Sequence, residues 1–255
     1  INCGGLVGFN DSGLIVNAAL INGTIYNIPP TSQSSLNTQY VGGLVGTNYG
    51  GTITHSSATL TITGSNSYEY MGGLVGYDSQ GQIDASYANS KLIVQGLNNY
   101  LGGLIGSQSS GNSDSNYSLG SITLTPGSSI INAGGLIGIV EGGTITNNFS
   151  NVNIDLSSTT PSNYVGGLIG QARSDGSSFN ISNNYATGNI SGNITHPAGL
   201  IAYSTSETPC SNSYWNTQTT GQTTSIICSH GGLTTTQMME AASYAGFDFT
   251  DIWGI

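Results

Sequence analysis

The chain has 255 residues and almost no charge: two basic side chains against twelve acidic ones, a net charge of −10, and only 5% charged residues. Nucleic acid and an anionic membrane surface both require a Lys/Arg footprint that Lys91 and Arg173 alone do not supply, so neither is an expected partner. No apolar run of about 18 residues is present to span a bilayer, and the polar surface has to come from Ser, Thr, Asn, Gln and Gly, which suits stacked strands on which like charges would repel.

The first element sets the pattern. Gly4-Gly5-Leu6-Val7-Gly8 returns as G-G-L-[V/I]-G from Gly42, Gly72, Gly102, Gly134 and Gly166, and in degraded form as Ala198-Gly199-Leu200-Ile201-Ala202. The steps are 38, 30, 30, 32, 32 and 32 residues. A fixed period in this range is the signature of a solenoid. The chain opens on Ile1, almost directly on a glycine motif, and reads as a processed product or part of something longer. The first coil then has no cap, and an uncapped strand edge templates pairing. Two readings stay open: an upstream segment has been removed, or the N-terminal coil docks onto another chain, with self-association as one such pairing. The longer first step contains Ile28-Pro29-Pro30 through Leu36, predicted to be a protruding loop because Pro cannot donate to a ladder.

Each repeat continues with the same parts. After the glycine motif comes G-x-I-x, as in Gly51-Thr-Ile-Thr54 and Gly143-Thr-Ile-Thr146. A small-polar-aromatic step follows: Ser86-Tyr87-Ala88, Asn116-Tyr117-Ser118, Asn148-Phe149-Ser150, Asn184-Tyr185-Ala186 and Ser213-Tyr214-Trp215. Last comes an alternating segment such as Thr59-Leu-Thr-Ile-Thr63, a strand with one buried face. Three short strands per repeat, joined by Gly, Asn and Ser turns, predict an all-β parallel β-helix of about seven coils. The repeat domain is read as 1–228, with coils starting near residues 4, 42, 72, 102, 134, 166 and 198. Leu44, Leu74, Leu104, Leu136, Leu168 and Leu200 form one expected core column; Val45, Val75, Ile105, Ile137 and Ile169 form another. A β-propeller is the competing architecture, but its blades run to about 40 residues.

Beyond the array, Cys210 and Cys228 lie close in sequence. A disulfide between them would close a loop of about 18 residues and be worth ~3 kcal/mol; the other reading is two free buried thiols. Cys3 is left over. Thr234 to Ala242 is the one good helix candidate, with a Thr as N-cap and Gly246 beyond its end. Residues 229–255, rich in Phe247, Phe249, Ile252 and Trp253, are read as a cap over the open end of the solenoid.

Six copies of Gly-Gly-Leu-aliphatic-Gly, followed by the G-x-I and N-Y-[A/S] steps, resemble the GLUG repeat. The run Ser213-Tyr-Trp-Asn-Thr217, Gly232-Leu-Thr-Thr-Thr-Gln-Met238 and Ile252-Trp253-Gly254 resembles the tail that closes such arrays. GLUG repeats occur in bacterial surface and secreted proteins, including filamentous-haemagglutinin-like adhesins and immunoglobulin-A-specific metallopeptidases. The resemblance implies an extracellular or cell-surface stalk or adhesive module and supplies no catalytic residues. The zinc signature H-E-x-x-H of the peptidases is missing from this sequence.

Candidate chemistry is sparse, and no enzyme, metal or cofactor is expected. His55, His196 and His230 lack metal-ligand spacing. Tyr40, Tyr70, Tyr100 and Tyr164 precede the glycine motif in one column, with Asn132 and His196 in the same place. Alternation turns these four tyrosines outward, where they either bind a carbohydrate or cell-surface protein or stack on one another and stiffen the rod. The column Tyr87, Tyr117, Phe149, Tyr185 and Tyr214 contains a Phe and is read as buried. Asp84 and Asp114 fall on adjacent coils, at about 5 Å the spacing of a retaining glycosidase pair, which gives a polysaccharide-active enzyme as a different-class alternative. A self-assembling fibre or stalk subunit and an ice-binding solenoid, using Thr52, Thr54, Thr144 and Thr146, are the others.

Overall fold

The computed structural model describes residues 1–27, 38–65, 69–96, 99–125, 128, 130–157, 162–173, 179–205 and 209–254. The proline-containing segment from Ile28 to Leu36 lies outside them. The chain is a parallel β-solenoid in which each sheet is made by stacking one strand from every coil. Seven coils stack, and the register runs glycine on glycine, as in Gly4↔Gly42 and Gly102↔Gly134. Coils 1 to 5 have four uninterrupted strands. In coil 6 the fourth strand is split into Tyr185–Ala186 and Ile190–Gly192, and in coil 7 the last two shrink to Cys210–Ser211 and Tyr214–Asn216.

Each coil has four strands, one more than the sequence pattern predicts. Coil 3 runs Glu69–Gly72, Val75–Ser79, Gln82–Asp84 and Tyr87–Val94. The extra break falls inside the glycine motif, where the chain folds sharply between the first two strands. Three missing Cβ atoms make this corner. A Cβ on Gly42 would stand 1.9 Å from the Val45 carbonyl oxygen and 2.7 Å from the Gly76 nitrogen. One on Gly46 would stand 2.7 Å from the Cys3 nitrogen, and one on Gly43 would stand 2.9 Å from a Leu60 methyl. The first and last glycines let two strands lie against each other on their outer sides. The middle one lets the corner press into the core, where Leu44 and Val45 are fully buried. The predicted Leu and Val/Ile columns are all buried from coil 2 to coil 6, because one coil alone cannot hide its apolar face.

A second corner, between the third and fourth sheets, is held by a buried polar ladder. Ser56 N–H donates to Ser86 Oγ (3.0 Å), Ser86 N–H to Asn116 Oδ1 (2.9 Å), Asn116 N–H to Asn148 Oδ1 (2.9 Å) and Asn148 N–H to Asn184 Oδ1 (2.9 Å). Asn184 N–H closes the series on Ser213 Oγ at 3.2 Å. The backbone donors that a turn would orphan are thus satisfied coil by coil. The left-handed backbone falls on the preceding residue: His55, Ala85, Ser115, Asn147, Asn183 and Asn212 have φ from +45° to +58°. Asn in the ladder itself serves as a hydrogen-bonding group, not as a left-handed corner.

The C-terminal region has two parts. Residues 217–228 pass over coil 7. Gly199 N–H donates to the Thr224 carbonyl (2.9 Å), Ile201 N–H to Ser225 Oγ (3.0 Å), and Trp215 Nε1–H to the Gln222 carbonyl (2.9 Å). Cys210 and Cys228 form a disulfide, Cα to Cα 5.4 Å, that ties this segment to the coil's third strand. Gly232–Leu233 then adds to the fourth sheet beside Trp215 and Asn216. The aromatic side chains that follow lie along the side of the solenoid and not over its end. The expected helix at Thr234 to Ala242 is two short 3-10 turns, Gln237–Met239 and Ala241–Ser243. Thr234 and Gln237 do cap reciprocally, Gln237 N–H to Thr234 Oγ1 (3.2 Å) and Thr234 N–H to Gln237 Oε1 (2.9 Å). Glu240 is extended (φ −114°, ψ 118°) and ends the first turn. That break brings Tyr244 back, its hydroxyl donating to the Met238 carbonyl at 2.9 Å.

A Cys210→Ser/Cys228→Ser variant is expected to lose about 3 kcal/mol of stability, from the unfolded-chain entropy the bond removes. Hydrogen exchange should speed up first at Gly199 and Ile201, whose amide partners lie in the tied segment. Unchanged protection there would show that the segment holds without the bond.

Candidate functional site

At the glycine corner the outer sides of the first two strands close on each other, and tyrosines stand beside that contact. Tyr40, Tyr70 and Tyr100 are register partners on coils 2, 3 and 4. Tyr70 and Tyr100 stack at 4.7 Å with 5° between planes; Tyr40 and Tyr70 lie at 5.4 Å. From the second sheet, Tyr77 stacks on Tyr40 at 4.8 Å. Asn132 interrupts the column on coil 5, fully buried, its amide donating to Gln171 Oε1 at 2.8 Å. Tyr164 sits beyond it, against His196 (4.9 Å) and Tyr203 (4.5 Å). The structure therefore brings three of the four sequence-predicted tyrosines together and leaves Tyr164 in a separate cluster.

Stacking decides what this row can bind. Ring faces within the stack are covered by neighbouring rings, so the row presents ring edges and hydroxyls. Half-burial raises the Tyr70 phenol to about 12, helped by Tyr100, Tyr40 and Glu141, and burial likewise raises Tyr40 and Tyr100. The hydroxyls stay protonated at neutral pH and act as donors. Arg173 and Glu141 form a salt bridge close to this row. Tyr77 and Tyr203 escape the motif-based reading. Both stand five residues after the first position of their copy, Gly72 and Ala198, so aligning that position across copies would have found them.

The second aromatic column is also outside the core, contrary to the sequence reading. Ala88, Ser118, Ser150 and Ala186 point inward, which turns Tyr87, Tyr117, Phe149 and Tyr185 out. Their rings stack at 4.7, 5.2 and 5.1 Å, within 7° of parallel. The tail covers the lower half: Tyr244 and Phe247 pack on Tyr185 and Tyr214, and Trp253 packs on Tyr185. A cavity of about 310 Å³ lies where the tail meets the ladder, lined by Tyr117, Asn147, Phe149, Asp251, Ile252 and Trp253 among others.

Asp84 and Asp114 are register partners on the third sheet. Asp114 already receives Thr146 Oγ1 (2.5 Å), Asn147 Nδ2 (2.9 Å) and Ser115 Oγ (2.9 Å). His55 Nδ1 lies 2.8 Å from Thr54 Oγ1. Among the described residues no three His, Cys, Asp or Glu side chains gather as metal ligands, and no helix is long and apolar enough to cross a membrane.

The family model of the GLUG motif matches residues 37–63, the stretch that contains the glycine corner and fourth strand of coil 2. The chain carries the GLUG motif. The GLUG glycines are the residues whose missing side chains let the two strands close on each other beside the tyrosine row, and the same five-residue corner recurs along the stack. Comparison with curated proteins and with solved structures gave no match. The GLUG corner and the solenoid together make this a repeat structural module.

Proposed function

We propose that the module is extracellular and adhesive: a rigid rod that holds repeated side-chain columns toward a carbohydrate or cell-surface protein. The observation that carries this reading is the Tyr40–Tyr70–Tyr100 stack. It sets protonated phenol hydroxyls in a row at the spacing of stacked strands, about 4.8 Å, with Tyr77 packed on the ring of Tyr40. A polymer with hydroxyls along its length can follow such a row. The Cys210–Cys228 disulfide supports an oxidising location outside the cytosol. On this reading the module binds and does not turn over its partner. The in-register Asp84 and Asp114 keep a hydrolytic reading as second choice, although Asp114 is committed to three hydrogen bonds.

The test is a glycan-array measurement of the wild type beside Tyr70→Phe/Tyr100→Phe, which keeps the stack and removes two hydroxyls. Two hydrogen bonds at about 1 kcal/mol each predict a loss of tenfold or more. Equal binding by the variant would clear the tyrosine row of a role. A folded wild type that binds no glycan would leave a spacer.

A further inference from the structure

The cavity of about 310 Å³ between the tail and the second aromatic column is too large for a packing defect and falls in the range of small-molecule sites. Its lining joins two distant parts of the chain. Tyr117 and Phe149, stacked at 5.2 Å, come from coils 4 and 5, and Asp251, Ile252 and Trp253 come from the tail. The tail loop is built by its own hydrogen bonds. The Asp248 carboxylate accepts the backbone N–H groups of Thr250 (2.8 Å) and Asp251 (3.2 Å), and the Asp248 carbonyl accepts that of Trp253 (2.9 Å). The indole of Trp253 packs on Tyr185 and Phe247. Gly254 borders a different cavity, with Tyr185 and Met238, so the backbone turns away from this one after Trp253.

The polar groups on this lining are left open in complementary ways. Trp253 Nε1–H is buried and has no hydrogen-bond partner among the described residues, whereas the other indole, Trp215, donates to the Gln222 carbonyl. A buried orphan donor is costly, and only an acceptor relieves it. The Asp251 carboxylate, an acceptor, makes no ion pair or hydrogen bond among the described residues. Asn147 spends its Nδ2 on Asp114 and keeps its carbonyl oxygen. An occupant must therefore offer acceptors and donors together, which is what hydroxyl groups do. The rest of the lining, with Tyr117, Phe149 and Ile252, calls for C–H surface. A sugar ring, with C–H on its faces and hydroxyls around its edge, has this pattern. Charge chooses among sugars. No basic side chain lines the cavity, Asp251 stands on it and Asp114 lies one hydrogen bond behind Asn147, so a uronate or a sulfated sugar is repelled. An organic cation would leave the indole N–H without an acceptor. We propose that this junction of tail and ladder binds a neutral pyranoside. Asp251 accepts from two neighbouring hydroxyls, and the sugar's C–H face rests on Ile252 and the ring edges. Entry shifts the loop from Asp248 to Trp253 enough for a sugar oxygen to reach the indole N–H. The site is separate from the Tyr40–Tyr70–Tyr100 row and stands whether or not that row binds.

Trp253 reports the test itself, because Trp215, the only other tryptophan, is fully buried in the core. Tryptophan emission of the 255-residue chain is followed as methyl α-D-glucopyranoside, methyl α-D-mannopyranoside or methyl β-D-galactopyranoside is added, with methyl β-D-glucuronide as the acidic counterpart. Wild type is compared with Asp251→Ala and with Tyr70→Phe/Tyr100→Phe. Asp251 is exposed, so its variant should keep the wild-type circular dichroism and thermal transition. The expected result is a saturable change in emission with at least one neutral glycoside and none with the glucuronide. Affinity should fall about tenfold or more in Asp251→Ala, from the loss of hydrogen bonds to a charged acceptor, and stay unchanged in the tyrosine variant. A wild type whose emission does not change, or changes only in proportion to added sugar, would overturn the proposal. So would a glucuronide that binds as tightly as the neutral sugars, or a folded Asp251→Ala protein that binds like wild type. Loss of binding in the tyrosine variant would place the sugar on the tyrosine row and overturn it as well.

Discussion

Gly102→Ala is expected to abolish folding. The added Cβ would stand 1.8 Å from the Ile105 carbonyl oxygen of its own coil and 2.9 Å from the Gly138 nitrogen of the next. Both are backbone atoms, so no rotamer change relieves the overlap. Gly102 is not a positive-φ glycine, and the cost is one of space, not of backbone conformation. The only escape is to open the corner, which pulls the first strand from the second and disturbs Leu101, Leu104 and Ile105, all fully buried. That places the substitution in the rare class above about 4 kcal/mol, a large part of what a domain has to lose. Gly254→Ala is the control, because nothing lies within 4 Å of its position. Far-UV circular dichroism and urea midpoints read both. A Gly102→Ala protein that unfolds at the wild-type midpoint would rule out the close-packed corner.

Asp78→Asn is expected to stabilise the protein at neutral pH and to remove a pH dependence. Asp78 is fully buried in an inward polar column with Asn10, Asn48 and Gln108. Asn10 donates to the Gly13 carbonyl (3.1 Å), Asn48 to that of Gly51 (2.9 Å) and Gln108 to that of Gly111 (2.8 Å). Asp78 accepts from Asn48 Nδ2 at 2.7 Å, but its Oδ2 has no hydrogen-bond partner among the described residues. Burial raises its carboxyl from 3.8 to about 7, against a smaller lowering by the Asn48 amide. A folded-state value above the unfolded one means the native state holds the proton more tightly. Its contribution is therefore fully present below about pH 4, falls as pH rises, and is lost by about pH 7. Three units correspond to about 4 kcal/mol as an order of magnitude. Asn supplies the donor that its column neighbours use, so the variant should gain a few kcal/mol at pH 8 and little at pH 4. The difference between the two proteins isolates Asp78 from other buried carboxylates such as Glu69. A wild-type minus variant difference that is flat in pH would show that Asp78 is not a buried neutral acid.

Much of this was legible in the sequence. Gly-Gly-Leu-aliphatic-Gly at a near-constant period fixes the stacking axis, and Leu44 through Leu200 read directly as a core column. The four-strand coil was not legible because Val41-Gly-Gly-Leu-Val45 looks like one continuous apolar run. Only the close approach of Gly42 to Gly76 shows that it folds back on its outer side. Tyr87 and Tyr117 were misread as buried because Phe149 shares their column. Stacking along the rod shelters a ring without placing it inside. The Ser/Asn ladder carried a signal, since Ser56, Ser86, Asn116, Asn148 and Asn184 recur at fixed register, but a recurring Asn is equally compatible with a left-handed turn. The cluster of Tyr244 and Phe247 on Tyr185 leaves no local trace, because it joins residues about sixty positions apart by packing alone.

The central claim is that coils stack in register, one rung per repeat. Thr24, Lys91, Asn153 and Asn189 occupy one outward column, through Thr24↔Thr61↔Lys91↔Ser121↔Asn153 and the pairing of Ile154 with Ile190. Spin labels on Thr24 and on each of the others in turn, in a Cys3→Ser background, measure the spacing by electron paramagnetic resonance. The account gives separations that rise linearly by about 4.8 Å per coil, to roughly 10, 19 and 24 Å. Separations that level off or fall from one pair to the next would mean the repeats close around an axis as blades, and the solenoid would be wrong.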